Sequence, residues 1–112
     1  MTALEEYLLY ENSDRMYLYR LRLTYLWDQK EFNYLVQLVR NVLKEFENNT
    51  LFPKQIRYFF TSDIDQIIGI VSNPLFIVNI PDSYDKSKYI DTINSGIAIL
   101  NDLKEEFFYG EI

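Results

Sequence analysis

The chain has 112 residues, 48% hydrophobic and 17% aromatic, which excludes a disordered polymer and supplies one packed core without metal or disulfide staples. Its net charge of −6 and pI near 4.5 set the whole-molecule field against phosphate backbones and anionic lipid, so neither free nucleic acid nor a membrane is an expected partner. The absence of Cys and His removes disulfides, thiolate chemistry, the usual general base and the usual transition-metal ligand together, and a reducing cytoplasm is the expected compartment.

The N-terminal stretch MTALEEYLLYE is acidic where a secretory signal would be basic. Thr2 and Glu5 have the spacing of a capping box, which predicts a short helix over about 3–10. Asn12-Ser13-Asp14 then offers a turn and a new N-cap.

Residues 14–28, DRMYLYRLRLTYLWD, are ambiguous by pattern. Tyr17, Tyr19, Leu21, Leu23, Tyr25 and Trp27 take every second position, the alternation of a half-buried strand. A strand over 15–27 would be more than twice the usual length and would meet the next helix with almost no connection. A helix would instead place Leu18, Leu21 and Tyr25 on one face and make Asp28 a tight helix–helix joint, and it is the preferred reading.

The pattern is clearest downstream. Asp28 caps, Glu31 follows three residues on, and Phe32, Leu35, Val36, Val39, Val42, Leu43 and Phe46 mark one helical face over about 29–47, closed by Asn48-Asn49. After Thr50, Pro53 suits the first turn of a helix. Ser62-Asp63, followed by Asp65, reads as another N-cap with an acid in the first turn, and Ile64, Ile67, Ile68 and Val71 carry that helix to Asn73-Pro74.

The uncharged run 66–81 is too short to span a bilayer and reads as core, with 75–80 open between strand, extended segment and helical turn. A last helix over about 86–107, opened by Pro81-Asp82-Ser83 with Asp85 or Ser87 as cap, buries Ile90, Ile93, Ile97, Leu100, Leu103 and Phe107. Gly96 and Ala98 are small enough to admit a neighbour. The expectation is a mainly α, single-domain bundle over 1–112 with about four to five helices; the alternative is an α+β fold with strands at 15–27 and 75–80. Phe32, Leu35, Val39, Val42, Phe46, Ile67, Ile93, Ile97 and Leu100 are the expected core.

Chemistry is thin. The pairs Glu5-Glu6 and Glu105-Glu106 read as solvated faces, Asp63 and Asp65 as cap and dipole partners, and the D-x-D spacing lacks the glycine and distal Glu of a calcium loop. Three glycines make no phosphate cradle, and no nucleophile has a base. No enzyme activity, metal or cofactor is expected.

Charge is more informative because it is segregated. Residues 13–22 and 53–60 each carry +2, the second through Lys54 and Arg57, leaving the remainder at −10. On a helix Arg15, Tyr19 and Arg22 form one stripe of the residue types that dominate interface hot spots, or their heads pair with acidic helices while their stems cover core. The C-terminal NDLKEEFFYGEI sets Asp102, Glu105, Glu106 and Glu111 around Phe107, Phe108 and Tyr109, a surface suited to a basic protein partner. Small acidic helical proteins of this make-up are common among bacterial immunity proteins and phage-encoded inhibitors, and the richness in Asn, Ile, Lys and Tyr suggests an AT-rich bacterial or phage genome. The expected function is a non-catalytic protein-binding module, acting as inhibitor, immunity or adaptor protein, with Arg15, Tyr19, Arg22, Asp102, Glu105, Glu106, Phe108 and Tyr109 as partner-binding residues. The alternative is a homo-oligomeric scaffold or structural subunit.

Overall fold

Helix α1 (Ala3–Glu11) starts where the capping box puts it: the Thr2 hydroxyl accepts the Glu5 N–H and the Glu5 carboxylate reaches back to the Thr2 N–H. The computed structural model describes residues 1–49, 51–78, Ile80 and 85–109, with Tyr109 described through its backbone alone. The expected turn follows at 12–14, yet it supplies no cap to the next helix. Asn12 Nδ2 donates to the Leu8 carbonyl at 2.9 Å and the Ser13 hydroxyl to the Tyr10 carbonyl at 2.7 Å, so both side chains are used to close α1. The cap of α2 (Tyr17–Thr24) is Met16, whose Sδ accepts the Tyr19 N–H.

Helix α2 is shorter than the expected 15–27 at both ends. It stops because Tyr25 adopts the left-handed conformation, φ 56°, ψ 34°, while its N–H still bonds the Leu21 carbonyl. That backbone costs a non-glycine residue about 1 kcal/mol. The Tyr25 ring is held 5.1 Å from that of Phe76. Leu26 and Trp27 then lead to Asp28, which caps α3 (Gln29–Glu45) by accepting the Glu31 N–H at 3.1 Å.

The next helical run starts at Pro53, one residue before its first turn, and comprises α4 (Lys54–Tyr58), a π turn (Phe59–Asp63) and α5 (Ile64–Val71) without a break. Ser62-Asp63 is therefore no N-cap. The Thr61 hydroxyl bonds back to the Arg57 carbonyl and the Ser62 hydroxyl accepts Gln66 Nε2, so neither turns outward to cap a new helix. Asn73-Pro74 does end α5, and α6 (Pro74–Val78) follows. Helix α7 (Lys86–Tyr109) begins after Asp85, whose carboxylate accepts the Ser87 N–H. The suggested opening at Pro81-Asp82-Ser83 lies outside the described residues.

Among the described residues the chain forms six helical bodies and no strand, which confirms the mainly α bundle and overturns the α+β alternative at 15–27 and 75–78. Helix α1 packs on α3, α2 on α5 and α3, and α5 also on α6 and α7, within 45 × 29 × 19 Å. The short dimension is that of two helical layers. The core follows the apolar faces of α3, α5 and α7, with Phe46 and Ile97 at its margin. It also takes in Tyr7, Tyr10, Tyr17 and Tyr89, which the apolar periodicity does not single out. Among the described residues no helix is long and apolar enough to cross a membrane.

Candidate functional site

The predicted basic stripe does not form as one helical face, because Arg15 lies in the turn before α2. Its guanidinium donates twice to the Glu31 carboxylate at 3.1 Å and sits 4.5 Å over the Tyr34 ring. Arg22 Nη2 donates to the Gln66 side chain on α5. The stems and heads are thus partly engaged within the fold, though with α3 and α5 and not with the terminal helices.

Tyr19 is 50% exposed, and the physical reason explains the strand-like alternation of its segment. Residues two apart stand about 200° apart around a helix, so an every-second apolar pattern wound into a helix must place apolar side chains on opposite sides. Tyr17, Leu18 and Leu21 enter the core; Tyr19 and Leu23, four apart, share the outer face, with Leu23 62% exposed. Arg20 and Arg22 flank that stripe, and α2 carries no acid. The Tyr25–Phe76 contact brings the end of α2 against α6, where Leu75 and Val78 are 67% and 79% exposed. The sequence does not single out Leu23, Leu75 or Val78 as contact residues; for Leu23 the clash between alternation and helix is the signal, and for Leu75 and Val78 on α6 there is none.

At the acidic end, Asp102, Glu105 and Glu106 are exposed on α7, as expected of a solvated face. Phe107 turns inward and stacks on Phe60 at 4.2 Å with 5° between the rings, while Phe108 stays 40% exposed with its edge to Phe107. Glu106 lines an open groove together with Arg40, Lys44 and Glu47, so its charge is locally offset. Neither the Tyr109 side chain nor Glu111 belongs to the described residues. The structure does not join Arg15, Tyr19 and Arg22 to this end of α7 in one site.

Asp65 is exposed in the first turn of α5 and pairs with Lys104 at 2.9 Å. Asp63 behaves differently from the expected cap. It lies within the π turn and is 4% exposed. π turns arise rarely and often where a side chain has a task. Asp63 shares a cavity of about 10 Å³, scarcely room for one water, with Glu11 of α1 and the rings of Tyr7, Tyr10 and Tyr17. Glu11 Oε2 is enclosed there with no hydrogen-bond partner among the described residues. Burial, and then the negative charge of Glu11, push the Asp63 carboxyl up to about 6, against a smaller opposing pull from Arg22. Burial also raises Glu11, and raises the phenols of Tyr7, Tyr10 and Tyr17 so far that they stay neutral. The spacing of Ile56, Phe60 and Ile64, four and four, drifts by about 40° a step, which an ordinary apolar stripe accommodates, so the sequence carries no signal for this site. Comparisons with protein-family models, with curated proteins and with solved structures give no match for this chain.

Proposed function

We propose that the protein is a non-catalytic protein-binding module whose contact surface is the outer face of α2, extended onto α6. The observation that carries this reading is the Tyr19–Leu23 stripe. An ordinary solvated face is polar, and scattered apolar residues need no explanation, but a helix with apolar side chains on its outer face beside further exposed leucine and valine fits a partner surface. Tyr19 at its centre and the flanking Arg20 and Arg22 are of the types that anchor protein interfaces. An inhibitor, immunity protein or adaptor would use such a face, and the exposed Asp102, Glu105 and Phe108 on α7 offer a second contact to a basic partner. A homo-oligomeric scaffold is the second reading, favoured by the complementary charge of the α2 arginines and the α7 acids.

The test compares the wild-type chain with Leu23→Glu/Val78→Glu as baits in an extract of the native host, at equal helical content by circular dichroism. The wild type is expected to retain a protein that the double variant holds at least tenfold more weakly. Equal retention by both removes this face from the proposal. Sedimentation of the pure wild type as a dimer that the double variant dissociates selects the scaffold instead.

A further inference from the structure

Glu11 and Asp63 come from elements far apart in the chain and meet in one enclosed pocket whose remaining wall is aromatic and aliphatic. If both were ionised, two like charges would share a pocket with scarcely room for one water, an arrangement resolved in other proteins by retaining a proton. We propose that Glu11 and Asp63 carry a single proton between them in mildly acidic solution, that this proton spares them mutual repulsion and so keeps the C-terminal end of α1 seated on the π turn, and that its loss as the pH rises through neutrality loosens that end of α1.

The neighbouring groups support a one-proton pair. From α1, Tyr7 and Tyr10 face the pocket, and from α2, Tyr17; all three phenols remain neutral. From α3 only Leu35 lines it. Arg22 of α2 favours the ionised Asp63, but it donates to Gln66 of α5. Arg15 and Glu31 lie beyond Tyr10 and pair with each other. The Asp63 carboxyl at about 6, raised from 3.8, and the raised Glu11 agree with the geometry. Release is confined to one end of α1, because Glu45 of α3 accepts the Ala3 and Leu4 N–H groups at 2.9 and 3.3 Å and holds the other.

The sign follows from the raised folded-state values. The folded chain binds this proton more tightly than the unfolded chain, so stability is greatest below about pH 4 for this pair and falls as pH rises through about 6. The experiment titrates the wild type by carboxyl ¹³C NMR and follows amide hydrogen exchange in α1, corrected for intrinsic rates. One carboxyl of the pair is expected to titrate near 6, and protection at Leu8 to Asn12 to fall by about tenfold between pH 5 and pH 8 while α3 is unchanged. Asp63→Asn, which needs no proton, should keep that protection at pH 8; Glu11→Gln serves if the Asn variant does not fold. Both carboxyls titrating near 4, or α1 protection independent of pH in the wild type, overturns the proposal.

Discussion

Gly96→Ala is expected to destabilise the protein by about 2 kcal/mol, despite the ~1 kcal/mol that alanine ordinarily gains over glycine within a helix. A Cβ at Gly96 would fall inside the contact distance of the Trp27 indole and lie 3.4 Å from the Phe32 ring. The indole cannot retreat. Trp27 is 4% exposed, its ring stands 4.7 Å from Phe32 and 5.6 Å from Tyr17, and its Nε1–H is fixed on Gln29 at 2.8 Å. Helix α7 must therefore back away from the α2–α3 joint and open contacts along its length. For a domain of this size the loss corresponds to a melting temperature lower by about 10 °C, with the single tryptophan reporting the transition by fluorescence. Gly69→Ala is the control. Nothing lies within 4 Å of a Cβ there, so the same replacement on α5 should stabilise by about 0.5 to 1 kcal/mol. Equal effects at the two positions would mean that the approach of α7 to Trp27 is not what requires glycine.

The second expected result is that removing single hydroxyls from buried tyrosines costs about 1 to 3 kcal/mol each at Tyr10 and Tyr89, and less at Tyr17. These oxygens accept backbone N–H groups around the α2–α3 joint and the start of α2 that the Met16 and Asp28 caps do not reach. Tyr10 takes the Tyr17 N–H at 2.7 Å, Tyr17 takes the Asp28 N–H at 3.2 Å, and Tyr89 takes the Trp27 N–H at 2.9 Å. Tyr→Phe preserves shape and leaves each donor stranded in a buried or half-buried place, so the loss reflects desolvation without a cavity. Denaturant unfolding of Tyr10→Phe, Tyr17→Phe and Tyr89→Phe measures it. A change below about 0.5 kcal/mol at both Tyr10 and Tyr89 would show that water replaces the phenols freely.

The three bonds join α1 to α2, α2 to α3, and α7 to the α2–α3 joint. They account for three of the four tyrosines buried in the core of a chain that holds ten.

How far the sequence could be read varies by element, for physical reasons. Helices α3 and α7 are strongly periodic, and the caps at Thr2 and Asp28 are local bonds, so both were legible from neighbours in sequence. Gly96 was legible as a point of close approach, though its partner was not, because Trp27 lies far away in the chain. Asp63 was misread because Ser-Asp before an apolar run looks the same whether a helix starts there or passes through. Only the burial of Phe59 and Phe60 on one side and Ile64 on the other distinguishes the two. The outer stripe of α2 was half legible: Tyr19 was expected at a contact surface, but Leu23 was absorbed into the strand-like alternation. Arg15 falls outside the helix expected to hold it, because α2 starts two residues later, and nothing in its neighbourhood announces that Asn12 and Ser13 close α1 and delay that start.

The π turn also changes how the chain counts. Ile56 and Ile64, both fully buried, are eight residues apart. An unbroken α-helix would set them about 80° out of phase, whereas a spacing of seven would bring them within about 20°. The wide turn absorbs one surplus residue and lets both side chains share a face. Read this way, the helical run 54–71 is an ordinary helix carrying a single-residue insertion. Deletion within Phe59–Asp63, which would throw a normal helix out of register, restores it here: loss of the exposed Thr61 leaves Ile56 and Ile64 aligned and keeps Asp63 attached to the phase of α5.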